Sequence, residues 1–259
     1  MRFFQDIAKY RKYSIYAMKA ELKSEVANSY LNWVWWILHP LGMMLVYVFV
    51  AEIVFQRSEP YFPVFVFSGQ TVWTFFNRSL KQGVNIIRKK KSIITKVYVP
   101  KHVLMIQLLL VNLFKMMISF GIVAVLFMAY SVPLSWKILE SIPIVSSAII
   151  FTFGISLIAL HAGVYIDDLS NVLDIILRFL FYFTGIFYSV ETRVPAPFNK
   201  ILLNVNPMAF FIHSLRNCVL YDTGVNWLLL LIWLGIGIIF IVIGANLIYK
   251  HENDYVKVI

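Results

Sequence analysis

The sequence predicts an all-helical integral membrane protein. It has six transmembrane helices, an N-terminal amphipathic interfacial helix, and two short external re-entrant or interfacial helices between spans five and six. Three observations predict this. The 259 residues are 60% hydrophobic and only 14% charged, where a soluble domain carries about a quarter charged residues. The apolar runs are long and continuous rather than alternating, and a bilayer core without water admits only helices or closed barrels. The cations gather in a few short stretches, as topological signals do.

Residues 1–30 hold six Lys/Arg and lack the compact apolar core of a signal peptide, so the segment is expected to be retained. Phe4, Ile7, Ile15, Met18, Leu22 and Val26 recur at roughly helical intervals, while Lys9, Lys12, Lys19 and Lys23 share another face. A basic amphipathic helix of this kind lies in the membrane interface and is drawn to anionic lipid. A solvated cytoplasmic helix is the alternative.

Six spans follow, near 31–55, 62–86, 103–130, 138–165, 171–188 and 225–249. A crossing needs roughly 20 apolar residues, which all but the fifth meet comfortably. The second loses its apolar character after Asn77, and Arg78 and Lys81 are expected to snorkel towards headgroups or to face protein. The stretch 86–102 holds six more Lys/Arg, whereas the loop after span one has Arg57 with Glu59 and the 131–137 loop only Lys137. Lys250 and Lys257 follow the last span. The positive-inside rule therefore places both termini and 86–102 in the cytoplasm.

The external segment 189–224 is too apolar for a solvated loop and is interrupted by Pro195, Pro197 and Pro207. Met208, Phe211, Ile212, Leu215 and Val219 repeat at helical spacing with His213, Arg216 and Asn217 opposite, which suggests short helices bordering the outer mouth of a pathway. No Ser/Gly/Pro-rich linker divides the chain, so residues 1–259 read as a single membrane-spanning domain.

No enzymatic constellation is present. The five histidines (His39, His102, His161, His213 and His251) are dispersed, with no HExxH and no metal-ligand cluster. There is no GxSxG elbow and no GxxxxGK[ST] loop, so no catalytic or metal residue is assigned and the chain does not cradle ATP itself. One cysteine, Cys218, allows no internal disulfide.

Charges inside spans are costly and mark functional candidates. Lys115 lies within span three, and Asp174 and Arg178, four apart in span five, are spaced to pair along one helix face. Such groups either lock helices together or line a path for a hydrophilic passenger. Asp167 and Asp168 read as a solvated turn. Trp33, Trp35 and Trp36 open span one as an interfacial belt. Trp73, Phe76, Tyr182, Phe187 and Tyr188 are either packing or flat platforms for sugar rings, as aromatics are for bases. In 86–102, Arg88, Lys89, Lys90 and Lys91 orient the turn. Ile93, Ile94 and Val97 form an apolar patch that asks for a partner, and Pro100 breaks the chain before span three.

Three blocks carry a family resemblance: "NSYLNWVWWILHPLGMMLVYVF" (28–49), "FSGQTVWTFFNRSLKQGVNIIRKKKSIITKVYVPKHVLM" (67–105) and "YIDDLSNVLDIILRFLFYFTGIFYSVETRVPAPFNKILLNVNPMAFFIHSLRNCVL" (165–220). Their order resembles the permease subunits of ABC exporters of bacterial surface polysaccharides, a group that includes O-antigen, capsule and teichoic-acid exporters. The chain departs from the family pattern at Ile166, where an Arg is common, and at Gly185-Ile186-Phe187-Tyr188, where a Pro is common.

The resemblance implies export of a lipid-linked polysaccharide from the cytoplasm to the outer face of a bacterial inner membrane. Two copies of the chain would form the passage, with two separate ATPase subunits binding ATP and Mg beneath it. Arg88 to Lys91, Ile93, Ile94 and Val97 would form the coupling segment to the ATPase. Lys9, Lys12, Lys19 and Lys23 would gather the lipid headgroup, and Trp73, Phe76, Tyr182, Phe187, Tyr188 and Arg178 would line the substrate path. A permease for drugs or small lipids with the same topology is the alternative. A membrane-embedded enzyme and a passive channel are more distant ones, and no nucleic acid is expected.

Overall fold

Proline and charge set where the helices begin and end. In the computed structural model, which describes residues 2–27, 30–54, 56, 59–252, 254 and 255, eleven helices carry nearly all of the described backbone. Arg57 and Lys257, counted above for charge, and the side chain of Phe4 lie outside what it describes. Helix α1 covers Arg2–Val26. Helix α2 covers Asn32–Val54, opening as a 3-10 turn, continuing as an α-helix over Trp35–Val48 and widening to a π-helix over Phe49–Val54. Helix α3 (Phe62–Lys89) has Pro63 in its first turn, where a missing amide costs nothing. A single turn, α4 (Lys91–Ile94), leads to Pro100 and α5 (Lys101–Ala129).

A 3-10 turn (Trp136–Glu140) precedes α6 (Ser141–Tyr165), and a short turn leads to α7 (Leu169–Phe183). Between α7 and the last helix, α11 (Trp227–His251), lie α8 (Val190–Arg193), α9 (Phe198–Val205) and α10 (Pro207–Leu220). The segment thus holds three short helices rather than two: Pro195 and Pro197 separate α8 from α9, and Pro207 opens α10. Asn206 caps α10, accepting from the Met208 and Ala209 amides at 3.0 and 3.2 Å.

Among the described residues four helical segments are long and apolar enough to cross a membrane: Asn32–Val54, Lys101–Ala129, Trp136–Tyr165 and Trp227–His251. The two other expected spans differ from these. Helix α3 has 28 residues but is charged in its second half, and α7 has only 15, short of the roughly 20 that a crossing requires.

Helix α6 is the axis of the bundle and runs parallel to α11 at very close range. A Cβ added to Gly154 would come within 2.6 Å of the Gly237 carbonyl, and one on Gly244 within 2.6 Å of Leu157 Cβ. Small residues of this kind let backbones approach in place of side chains. Beyond α11 the chain folds back: Tyr255 is fully buried, with its hydroxyl 2.6 Å from His161 Nδ1. That burial, with Tyr165 and Glu252 nearby, holds the phenol well above its ordinary pKa.

Helix α10 does not divide into a buried apolar and an exposed polar side. Met208, Ala209, Phe210, Phe211, Ile212, Leu215 and Arg216 are all buried. Arg216, expected on the polar face, is only 3% exposed. Its guanidinium donates to the carbonyls of Phe65 (3.0 Å), Gly185 (2.7 Å) and Ile186 (2.6 Å) and lies 3.5 Å from the Phe65 ring centroid. The positive φ of Gly185, 69°, turns the chain after α7 so that consecutive carbonyls face this guanidinium, a conformation other residues resist. One side chain thereby joins α3, the turn after α7, and α10. Burial and the neighbouring Glu140 push the Cys218 thiol, also on α10, up to about 12, which keeps it inert.

Removing a donor from three buried carbonyls costs about 1–3 kcal/mol for each group left unsatisfied. Arg216→Ala is therefore expected to abolish accumulation of folded protein. Arg216→Lys, which keeps the charge but not the fork, is expected to fold with a clearly lower thermal midpoint. Fluorescence-detected size exclusion after heating measures both.

Candidate functional site

Helices α3 and α7 run antiparallel and are zipped by polar rungs. Arg88 pairs with Asp167. One turn along, Asn85 Nδ2 donates to Ser170 Oγ at 3.1 Å, and the next rung is Lys81 Nζ to Asp174 Oδ1 at 2.6 Å. Further on, Trp73 meets Phe181 edge-on at 5.8 Å. Asp174 thus pairs across to Lys81 and not along its own helix to Arg178, and Lys81 faces protein instead of snorkelling. Asp167, read as solvated, holds the first rung.

Between the Lys81 rung and the Trp73 rung the register brings Arg78 and Arg178 to one level, since Arg78 lies three residues before Lys81 and Arg178 four after Asp174. Both line a cavity of about 480 Å³ enclosed by α2, α3, α5 and α7. Trp35, Trp36 and His39 of the first turns of α2, Trp73 of α3 and Phe181 and Tyr182 of α7 supply its flat walls. Lys115 of α5 also lines it and is held by Glu25 at the end of α1, with contacts of 2.8 and 2.5 Å to the two carboxylate oxygens. Lys115 thus lies at the middle of α5, its side chain mostly buried and its charge met by Glu25. Its neighbour Phe114 packs on Trp36 at 5.8 Å, at the level where α2 starts.

Three amides complete the lining. Gln70 Nε2 donates to the Pro40 carbonyl at 3.3 Å, and Asn112 Nδ2 donates to Ser79 Oγ and Gln82 Oε1 at 3.2 and 3.1 Å. Their oxygens, Gln70 Oε1 and Asn112 Oδ1, have no protein partner among the described residues, nor has Asn77 Oδ1. Chemically the cavity offers cations and flat aromatic faces, which suits an anionic ligand that carries a ring. Among the described residues no group of three or more His, Cys, Asp or Glu is placed to hold a metal ion.

The aromatic residues named from sequence divide. Trp73 and Tyr182 line the cavity with Arg178. Phe76 is buried core beside Trp73, with rings 5.7 Å apart. Phe187 packs on Tyr47 at 6.2 Å, and the Tyr188 hydroxyl donates to the Tyr182 carbonyl at 2.6 Å, so both support the wall from behind. Gln70, Asn77 and Asn112 gave no sequence signal beyond being polar in otherwise apolar surroundings.

The segment 86–102 also divides. Arg88 is taken by Asp167 and Lys90 by Glu21 at 2.6 Å, while Lys89 and Lys91 are exposed. Ile94, placed from sequence in the exposed patch, is 5% exposed and belongs to the chain's own core with Val99 and Leu104, whereas Ile93 and Val97 are 39% and 59% exposed. A single turn has room for one inward residue, and Ile94 takes it. On α1, Lys9, Lys12, Lys19 and Lys23 are all exposed. The opposite face packs on α5 through Leu22, Tyr10 and Tyr13 rather than lying free, and Ile15, assigned to the apolar stripe, is 40% exposed.

This constellation has relatives. The chain is similar to O-antigen export permeases. It is 28% identical over 214 residues to the O-antigen export system permease protein RfbA of Myxococcus xanthus, covering 83% of this chain and 82% of that protein. It is 25% identical over 240 residues to an O-antigen export system permease protein RfbA of Klebsiella pneumoniae, covering 92% of each. It is 22% identical over 203 residues to the polysialic acid transport protein KpsM of Escherichia coli, covering 77% of this chain and 78% of that protein. No family model matches. The resemblance carried by the three sequence blocks is thus borne out along most of the chain.

The Lys81–Asp174 rung is half-exposed, so neutralising either partner is expected to cost on the order of 1 kcal/mol or less. Reversing one charge (Lys81→Asp) is expected to destabilise more, and the double exchange Lys81→Asp with Asp174→Lys to restore most of the loss. Thermal midpoints of the four proteins in a double-mutant cycle measure it.

Proposed function

We propose that the chain is the transmembrane subunit of an ATP-driven exporter that moves a lipid-linked polysaccharide from the cytoplasm to the outer face of the bacterial inner membrane. The observation that carries this is similarity over 77–92% of the chain to permeases of O-antigen export and to a polysialic acid transport protein. The cavity supports it, because tryptophan, tyrosine and cationic groups at one level suit sugars attached to an anionic headgroup.

In this function α3 and α7 cross the membrane as spans two and five. Helix α3 keeps its charges by facing protein and the cavity, which is where intramembrane charges are tolerated. The cation-rich 1–30 and 86–102 segments lie in the cytoplasm, and both termini with them. The segment 189–224 lies outside. Two copies form the passage and two ATPase subunits, carrying ATP and Mg, dock beneath.

Coupling runs through α4. Ile93 and Val97 seat on the ATPase, Lys89 and Lys91 meet its acidic groups or lipid headgroups, and Ile94 fixes the turn to the bundle. Because Arg88, Asn85 and Lys81 clamp α3 to α7, a push on α4 moves both helices together and alters the cavity between them. The exposed lysines of α1, Lys9, Lys12, Lys19 and Lys23, attract anionic headgroups to the same leaflet.

Deleting the gene is expected to trap undecorated cells with glycan inside, read as loss of surface polysaccharide by antibody or lectin staining, and plasmid-borne wild-type chain restores it. Undiminished surface glycan in the deletion strain would refute the function. Ile93→Asp with Val97→Asp is expected to leave the chain folded and in the membrane while abolishing export and ATPase co-purification. Ile94→Asp buries a charge and is expected to lower the yield of folded protein itself. Western blotting of membranes beside the export assay separates the two effects.

A further inference from the structure

Helix α4 is too short to hold its own shape. The amides of Ile93 and Ile94 donate to the Lys90 carbonyl, that of Thr95 to Lys91, and those of Lys96 and Val97 to Ile93. A single turn of this kind is unstable in isolation, so its order comes from what it packs against. At the start of the coupling segment that support is Arg88 with Asp167 and Lys90 with Glu21. At its end the support comes from elsewhere, the few residues that follow α11.

Those residues turn back onto the coupling segment. Tyr255 is fully buried and belongs to the same apolar cluster as Ile94 and Val99 of that segment, together with Ile87, Leu160, Val164 and Ile248. Its hydroxyl meets His161 Nδ1 at 2.6 Å, and its ring lies 5.9 Å from that imidazole and 6.1 Å from the Tyr165 ring, both on α6. Glu252 is buried as well, which a carboxylate tolerates only with donors or cations around it. Tyr98 of the coupling segment donates its hydroxyl to Glu252 Oε2 at 3.3 Å. Lys101, the first residue of α5, is buried, donates to the Val99 carbonyl at 3.3 Å and holds its ammonium 5.7 Å from the centre of the Tyr98 ring. Ile94, Val97, Tyr98, Lys101 and Glu252 line one small groove of about 230 Å³.

An apolar anchor and a polar contact thus tie the same short stretch to the far end of the coupling segment. That stretch extends from α11, which is packed backbone to backbone on α6 at Gly237 and Gly244. The coupling segment is therefore fastened at one end to α1 and the turn before α7, and at the other to the α6–α11 pair.

We propose that Glu252 and Tyr255 are positioning residues for coupling: they clasp the end of the coupling segment to α6 and α11, so that a push on α4 reaches that pair as well as α3 and α7. The consequence for transport rests on the export function above, whereas the clasp itself does not. Without the clasp the stretch from Thr95 to Pro100 absorbs the displacement, and ATP is hydrolysed without export.

Hydrogen exchange of the full chain in phosphatidylcholine nanodiscs reads the clasp, because the amides of Ile93 to Val97 are all hydrogen-bonded. Tyr255→Ala is expected to speed exchange over 93–97 about tenfold or more, with the α6 and α11 amides unchanged. Tyr255→Phe keeps the ring and loses only the bond to α6, so exchange over 93–97 is expected to stay within about twofold of wild type. Tyr98→Phe removes the donor to Glu252 from a side chain that is itself exposed, and is expected to speed the same amides about threefold or more. It decides the question if Tyr255→Ala loosens the whole bundle. In cells, Tyr255→Ala is expected to lose most surface glycan while the chain stays in the membrane, still co-purifies with the ATPase and still supports ATP hydrolysis, and Tyr255→Phe is expected to restore export. Exchange over 93–97 that is unchanged in both Tyr255→Ala and Tyr98→Phe, or that rises in both no more than in α6 and α11, overturns the clasp. Faster exchange with undiminished surface glycan in Tyr255→Ala overturns the positioning role. If the deletion strain itself keeps its surface glycan, the export function fails, and the exchange result alone upholds or overturns the clasp.

Discussion

A charged helix packed into an apolar bundle must find its counter-charges before it can be buried, and α3 finds them on α7 and the turn before it. That constraint explains more of the molecule than any apolar contact does. Lys81 is bound by Asp174 and Arg88 by Asp167, so two cations in the polar half of α3 are met by α7, a helix short for a membrane crossing, and by the turn before it. Each helix makes the other tolerable. Their joint register sets which residues share a level, and so which side chains wall the cavity.

Arginine is used in two opposite ways along the bundle. Near α10, Arg216 has three carbonyls and a ring to satisfy it and acts as a fixed joint. At the other end Arg78 and Arg178 stand at one level without such partners. A saturated guanidinium stabilises, whereas an unsaturated one at a cavity wall is available. The contrast separates a structural cation from a binding one on hydrogen-bond accounting alone.

The junction at α4 follows the same accounting. Among its leading cations Arg88 is engaged by Asp167 and Lys90 by Glu21, which makes the segment a rigid continuation of α3 rather than a loose charged loop. Its exposed apolar surface is then small and specific, Ile93 and Val97. A small rigid contact on the end of a clamped helix pair transmits displacement, and a flexible one would absorb it. Export driven by an ATPase below the membrane requires the first kind.

Much of this was legible in the sequence. Long apolar runs, the prolines at 63, 100 and 207 and the clustered cations determined the helices, most of their limits and the ends that share a side, because these depend on neighbours along the chain. The cavity's Trp73, Tyr182 and Arg178 were legible as candidates because polar and aromatic groups stand out against apolar spans. Their partners were not. Asp174 is four residues from Arg178 yet bonds Lys81, Phe76 turns to the core while Trp73 reaches the cavity, and Ile94 faces inward while Ile93 does not. The sequence by itself determined which segments are helical and which groups are too costly to bury alone. Only the tertiary structure decided which of them meet, because the antiparallel register of α3 on α7 is set by packing between segments that local spacing does not connect.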